Sequence, residues 1–323
     1  MIVPNYWAEA RTSLEVKGRS VTLRRFGWSN DSPADAQDQA ELRVAEAARR
    51  AAAGEDVPRR EHKLTYNGAE GLPIREEVLA RHGDAVITRN AYGARCLNVP
   101  DLLIADVDFE TEPPLALKLG AELIMVLAGV GVAMAFHGGL AGVALGLATY
   151  LLGSRLVRWP LQRRVASCAA RARTRIQAFV TEHPQWQLRV YRTPAGLRLI
   201  AAHARFTARS DASKAFMEAI GTDPVYVRMC LNQNCFRARL TAKPWRIGIA
   251  DHLKPRPGVW PIRPERMATR EDWVRRYERE AEPYAACRYE ETLGKGPADP
   301  GLAPLVALHD AESRALDDIR PLA

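Results

Sequence analysis

The sequence predicts an α+β protein: a ferredoxin-like, RRM-like split βαβ core interrupted by a transmembrane helical hairpin, with an N-terminal α/β extension and C-terminal helices. Three observations predict it. Strand and helix signals follow one another in the order βαββαβ between residues 102 and 242. Residues 115–157 are strongly apolar and come straight after the first of those strands. No Asp or Glu occurs between Glu122 and Glu182, although the chain as a whole carries a net charge of +8. The expected organisation is an N-terminal region at 1–101, a core at 102–250 interrupted at 115–157, and a mostly helical region at 251–323.

Each element has a local reason. SVTLRRFGW at 20–28 alternates like a strand. Ser32 and Pro33 supply an N-cap and a first-turn proline for a helix running to Ala53, where Gly54 stops it. HKLTYNG at 62–68 predicts a strand ending in an Asn-Gly turn, and GLPIREEVLARHG at 71–83 a short helix closed by Gly83. AVITR and ARCLN flank Asn-Ala-Tyr-Gly, which predicts a hairpin. LLIADVDFE at 102–110 is the first strand of the core.

The apolar segment then divides in two. Leu115 to Phe136 is long enough, at about 1.5 Å per residue, to cross roughly 30 Å of hydrocarbon. A His-Gly-Gly turn leads into Leu140 to Val157, and Arg155, Arg158, Arg163, Arg164, Arg171, Arg173 and Arg175 follow as a cytoplasmic flank would. So short a turn makes the two helices antiparallel, and Gly138, Gly142 and Gly146, four apart, let their backbones approach. The alternative is a buried hairpin of a water-soluble domain, with Lys118 and Glu122 paired at i, i+4. The membrane reading implies the lipid bilayer as a partner and a position in the inner, plasma membrane with both termini cytoplasmic. No basic stretch followed by an apolar core opens the chain, so no cleavable signal is predicted. Five scattered cysteines fit a reducing compartment.

Beyond the hairpin, a helix is expected to His183, then a strand hairpin across 186–203 turning at Thr193-Pro194-Ala195-Gly196. Ser210 caps a helix that Gly221 ends, and NCFRARLTAKPW provides the last core strand. A helix capped by Thr269 with Asp272 at N3, a break at Pro283 and a final helix around 304–318 complete the chain.

The chemistry concentrates on the first core strand. Asp106, Asp108 and Glu110 project to one face, and two carboxylates two residues apart are able to share Mg²⁺ or Mn²⁺. Arg189, Arg198, Arg237 and Arg239, followed by Lys243-Pro244-Trp245-Arg246, are candidate phosphate holders; the alternative is that they neutralise the same carboxylates. Cys230 and Cys235 lack a second pair at zinc spacing, and His309-Asp310, adjacent on a helix, are not expected to orient each other as a catalytic dyad. No G-x-S-x-G, Walker A or Rossmann motif is present.

A strand ending hydrophobic-Asp-x-Asp, followed by a βαββαβ order, resembles the catalytic core of the archaeo-eukaryotic primase superfamily. LLIADVD matches its first motif at Asp106 and Asp108, and Asp251 in RIGIAD its third. In the second motif Arg198 of TPAGLRLI stands where a histidine is expected, and His203 falls five residues too late. The segments YRTPAGLRLI and CFRARLTAKPWRIG also look like those of a group of bacterial transmembrane proteins. What the first resemblance implies is a metal-dependent nucleotidyl- or phosphoryl-transfer enzyme with Asp106, Asp108 and Asp251 as metal ligands and a nucleotide or nucleic acid as partner. The other expectation is an integral membrane protein whose cytoplasmic α+β domain is a binding or interaction module.

Overall fold

The computed structural model describes residues 1–16, 18–60, 71–109, 115–136, 139–256, 258 and 260–323, with the backbone alone at 115–119, 121 and 154–166. The strand expected at 62–68 and the carboxylate of Glu110 lie outside the described residues.

The chain opens with a long antiparallel ribbon, β1 (Tyr6–Val16) and β2 (Arg19–Ser29), covered by α1 (Pro33–Ala52). The Ser32 hydroxyl accepts from the Asp35 amide at 3.0 Å, as an N-cap should. Gly27 of β2 is where helix and ribbon touch: a Cβ there would lie 2.1 Å from the Ala36 carbonyl oxygen. Next come β3 (Glu77–His82), β4 (Ala85–Arg89), β5 (Arg95–Val99) and β6 (Ile104–Asp108). The helix expected at 71–83 is therefore wrong. Glu77 to His82 pair antiparallel with β4, and Gly83, at φ +59°, makes the tight turn between them. Strand pairing has overridden a stretch rich in helix formers.

Two long helices follow, α2 (Leu115–Ala135) and α3 (Leu140–Glu182). They form the antiparallel hairpin expected, and its glycines bring the backbones together: a Cβ on Gly146 would lie 2.5 Å from the Gly129 carbonyl oxygen. Tyr150 donates to Glu122 across the pair at 3.2 Å. Leu127 and Met134 on α2, and Leu147 and Leu152 on α3, face outward. The transmembrane assignment itself is corrected. Among the described residues no helix is long and apolar enough to cross a membrane. The second expected span does not end at Val157 either: α3 runs on unbroken through the arginine-rich stretch to dock its last turns on the core. The expectations of an integral membrane protein, and of an inner-membrane position, fall with the spans.

The remaining elements are β7 (Leu188–Arg192), β8 (Gly196–Ala201), α4 (Asp211–Ile220), α5 (Pro224–Gln233), β9 (Phe236–Arg239), α6 (Met267–Ala281), β10 (Arg288–Leu293) and α7 (Ala303–Ser313). The strands form two four-stranded antiparallel sheets, ordered β10-β7-β8-β6 and β3-β4-β5-β9. This corrects the ferredoxin-like core. The first three strands are arranged as a split βαβ unit requires, with β8 between β6 and β7. The fourth, β9, lies beside β6 but hydrogen-bonds to β5, and β10 takes the opposite edge.

β8 is buried along its whole length, so the first sheet is covered on both faces. One face carries Ala105, Val107, Val190, Leu197 and Leu199, and meets Ile176 of α3. Phe216 of α4 packs against Phe179 and Trp186 at 5.0 and 5.1 Å between ring centres. Burying a ring of that size stabilises by roughly 1.5–3 kcal/mol. The other face is polar, and α7 lies over it. That face positions the candidate site.

Candidate functional site

The polar face is laid out by strand register. Asp106 on β6, Arg198 on β8 and Tyr191 on β7 are direct cross-strand neighbours. Arg198 is almost wholly buried. Its Nε donates to Asp106 Oδ1 at 2.8 Å and a terminal nitrogen donates to Oδ2 at 3.1 Å, a two-pronged pair that occupies both carboxylate oxygens. The other terminal nitrogen donates to the Arg239 carbonyl at 3.0 Å and lies 3.3 Å from His309 Nε2. Burial pulls the guanidinium pKa down, but the charge and hydrogen bonds of Asp106 outweigh it and raise the pKa above its ordinary value.

This arrangement does not fit a metal. Asp106 is held by Arg198, and Asp251 pairs with Arg276 of α6 at the surface, a bond that lowers its pKa. Among the described residues no three His, Cys, Asp or Glu side chains come together as a metal site. The metal-dependent transferase expectation has no support here. Arg189 and Arg237 are also engaged. Arg189 donates to Tyr191 and to Asp310 Oδ2, both at 2.7 Å, and Arg237 pairs with Glu76, which accepts from Thr88 at 2.6 Å. All three arginines neutralise carboxylates, but only Arg198 neutralises one of the acidic strand, Asp106, as the alternative reading expected; Arg189 and Arg237 pair with Asp310 and Glu76.

The sequence missed what lies behind Arg198. His309 Nδ1 is 3.0 Å from Asp310 Oδ1, and Cys287 Sγ is 3.9 Å from His309 Nε2. Neighbouring helix residues do orient each other here, contrary to expectation, because Asp310 turns back onto its neighbour. Burial alone would raise the Cys287 thiol, but His309, with Arg198 behind it, holds it below the ordinary value. The order Cys, His, Asp is that of an activated nucleophile. Access excludes that role: Cys287 and His309 are fully buried. A cleft of about 990 Å³ runs past Arg189 and Asp310, but neither Cys287 nor His309 lines it. Arg198, which only donates, also occupies Nε2, so a neutral ring carries its proton on Nδ1 toward Asp310. This is a satisfied buried network that locks α7 to the sheet.

Arg239 has the opposite fate. It donates to the backbone oxygen of Thr241 at 2.8 Å and to a main-chain oxygen of Ala323 at 3.3 Å, and pairs with no Asp or Glu side chain among the described residues. After β9 the chain turns through Lys243 into a short 3₁₀ turn, Pro244–Arg246, which returns two more cations toward it. Neither Lys243 nor Arg246 has an ion pair among the described residues. Burial, then Arg239 and Arg246, lower the pKa of Lys243; burial and Arg239 lower that of Arg246. Asp108, the last residue of β6, is partly withdrawn from water and feels the charges of both across the corner. Burial and the charges of Asp106 and Asp223 raise its pKa, and Lys243 and Arg246 only partly oppose this. Aromatic rings close the corner. Trp245 is 57% exposed and packs edge-on against Tyr92, 5.3 Å between centres. Lys243 Nζ lies 5.5 Å from the Trp245 ring centre. Tyr92, from the turn between β4 and β5, has its hydroxyl pKa pushed up to about 12, chiefly by burial.

Of the residues singled out in the sequence, then, Asp108 and Arg239 share this corner, while Asp106, Arg189, Arg198 and Arg237 belong to neutralised pairs and Asp251 lies elsewhere. Lys243 and Arg246 complete the corner. The signal for them was the segment KPWR, with two cations and an aromatic and no acidic residue within it. No family model, no curated protein and no solved structure matches the chain.

Proposed function

We propose that this protein binds a small molecule bearing a phosphate group, held by Arg239, Lys243 and Arg246. One observation carries the reading. Three cations share a partly desolvated corner, and among the described residues none is paired with an Asp or Glu side chain, although most arginines around the same sheets are. Three cations against the one nearby carboxylate of Asp108 leave an excess of like charge that raises the energy of the folded state, and a dianion would relieve this at the point where their fields add. Arginine forks suit phosphate oxygens, and a lysine adds a point charge between them.

Titration calorimetry with inorganic phosphate and pyrophosphate tests this. Binding is expected to be salt-sensitive and to weaken about tenfold or more in an Arg239→Gln, Arg246→Gln variant. Equal affinity for both proteins, or no binding to either, would remove the site. The depressed Lys243 adds a sign: affinity falls as pH rises through that lowered pKa, earlier than for an ordinary lysine near 10.4.

A further inference from the structure

The hairpin of α2 and α3 has two unlike faces. Its helices meet along glycines: a Cβ on Gly129 would lie 2.9 Å from the Gly146 carbonyl oxygen, and one on Gly142 2.9 Å from that of Ala133. At about 100° per residue, Leu123, Leu127, Val130 and Met134 lie roughly 100–160° round α2 from Gly129, all to one side. On α3, Leu140, Val143, Leu147 and Leu151 lie about 60–140° round from Gly146 in the same rotational sense. Because the two right-handed helices run antiparallel, the same sense brings both sets onto one face of the hairpin. The opposite face is mainly small: Ala128, Gly131 and Ala135 on α2, and Ala141 and Ala148 on α3, with Ile124, Leu145 and Leu152 set among them.

The bulky face is apolar enough to need cover. Each of its side chains is at least half exposed, and Leu140 is 93% exposed. Together they present on the order of 1,000 Å², above the ~300–600 Å² of the largest apolar patch on an ordinary monomer. A stable interface buries about 800 Å² on each partner, so the face has the size for one partner. Its spacing gives that partner's shape. Leu123, Leu127, Val130 and Met134 follow one another at four, three and four residues, the seam of helices that interlock side by side. Its charge gives the partner's identity. No Asp, Glu, Lys or Arg lies between Glu122 and Arg155, in a chain of net charge +8. Across a two-fold axis a face meets its own copy, where like charges would repel and aliphatic side chains do not.

We propose that two copies of this chain join through these bulky faces, their hairpins forming a closed four-helix bundle. The small-residue faces stay outside, where scattered apolar side chains are ordinary. This contact is independent of the anion corner.

Sedimentation equilibrium of the full chain tests it. A dimer is expected at about 10 µM, with Leu127→Glu, Leu147→Glu raising its dissociation constant about a hundredfold or more. The milder Leu127→Ala, Leu147→Ala variant should raise it about tenfold without adding charge. Ala128→Glu, Ala148→Glu puts the same charge on the small face and should leave the dimer as it is. Far-ultraviolet circular dichroism should stay level throughout, because none of these positions lies along the glycine contact between the helices. A monomer at that concentration overturns the proposal. So does a dimer unmoved by the bulky-face changes, or weakened equally by the small-face ones. Masses that climb past the dimer with concentration overturn the closed bundle. A monomer that floats with phosphatidylcholine vesicles overturns it too, with lipid as the cover in place of a second copy.

Discussion

Asp106 and Asp108 stand two residues apart on one strand, and the regions around them differ in every respect that matters for chemistry. Around Asp106 each charge has its partner: Arg198 takes both carboxylate oxygens and reaches toward His309, and Asp310 holds His309 and Arg189. Around Asp108 charges gather without contact pairs, and the carboxyl and the amine both shift toward their neutral forms. A sealed network spends its electrostatics on specifying one packing; an open one keeps them available to a ligand. The difference comes from cover. α7 lies over the strand centre, whereas β6 ends at Asp108, beyond that helix.

The largest test breaks the sealed side. Arg198→Met leaves Asp106 without its counter-charge and the Arg239 carbonyl without a donor. Urea denaturation should show a loss of about 3–5 kcal/mol, the usual result of removing one half of a buried pair. Adding Asp106→Leu should recover part of it, because the desolvated carboxylate is then gone too. A loss below about 1 kcal/mol would mean that Arg198 is solvated and the network is not sealed.

The open side should respond with the opposite sign. Lys243→Met removes one of three mutually repelling cations, together with the contact of its ammonium group on the Trp245 ring. Stability should stay level or rise by about 0.5 kcal/mol, while phosphate affinity falls. A loss of about 2 kcal/mol or more would show the corner to be structural, like its neighbour, and would erase the contrast.

How much of this was legible depended on range. α1, α4 and the β7-β8 hairpin were readable because caps and turns are local: Ser32, Ser210, Gly221 and Thr193 to Gly196 each act within a few residues. β1 was missed because its Glu, Arg, Thr and Ser leave no clean apolar alternation, and β10 because Arg288 and the adjacent Glu290 and Glu291 interrupt its own. The partner of β9 was unreadable for another reason. Ala238 pairs with Leu97 of β5, far away in sequence, and nothing local in FRAR selects β5 over β6. The site divided in the same way. The acidic strand and the arginines were visible, but whether a guanidinium meets a carboxylate depends on cross-strand register, as Asp106 opposite Arg198 shows. The membrane expectation failed at the same scale: apolar runs were read as separate spans, whereas the second is the first part of a helix that continues to Glu182.

The finest test uses pH on Asp108 itself. Its pKa is raised in the folded chain, so folding favours the protonated form. Below about pH 3.9 both folded and unfolded chains carry the proton, and Asp108 costs nothing. As pH climbs past the raised pKa, the folded chain must ionise a carboxyl that burial, Asp106 and Asp223 all disfavour, and the full penalty is then present. Asp108→Asn should therefore stabilise at neutral pH, by about 0.5 kcal/mol, and the difference should fade as pH drops toward 3. The same substitution should tighten phosphate binding, since it removes a negative charge facing Lys243 and Arg246. Asp106→Asn should do the reverse at neutral pH, because it leaves Arg198 buried without a counter-charge. Thermal unfolding of the two variants across pH separates the cases: curves that run parallel would mean that the two carboxylates share one environment, and the distinction between a sealed and an open end of β6 would fail.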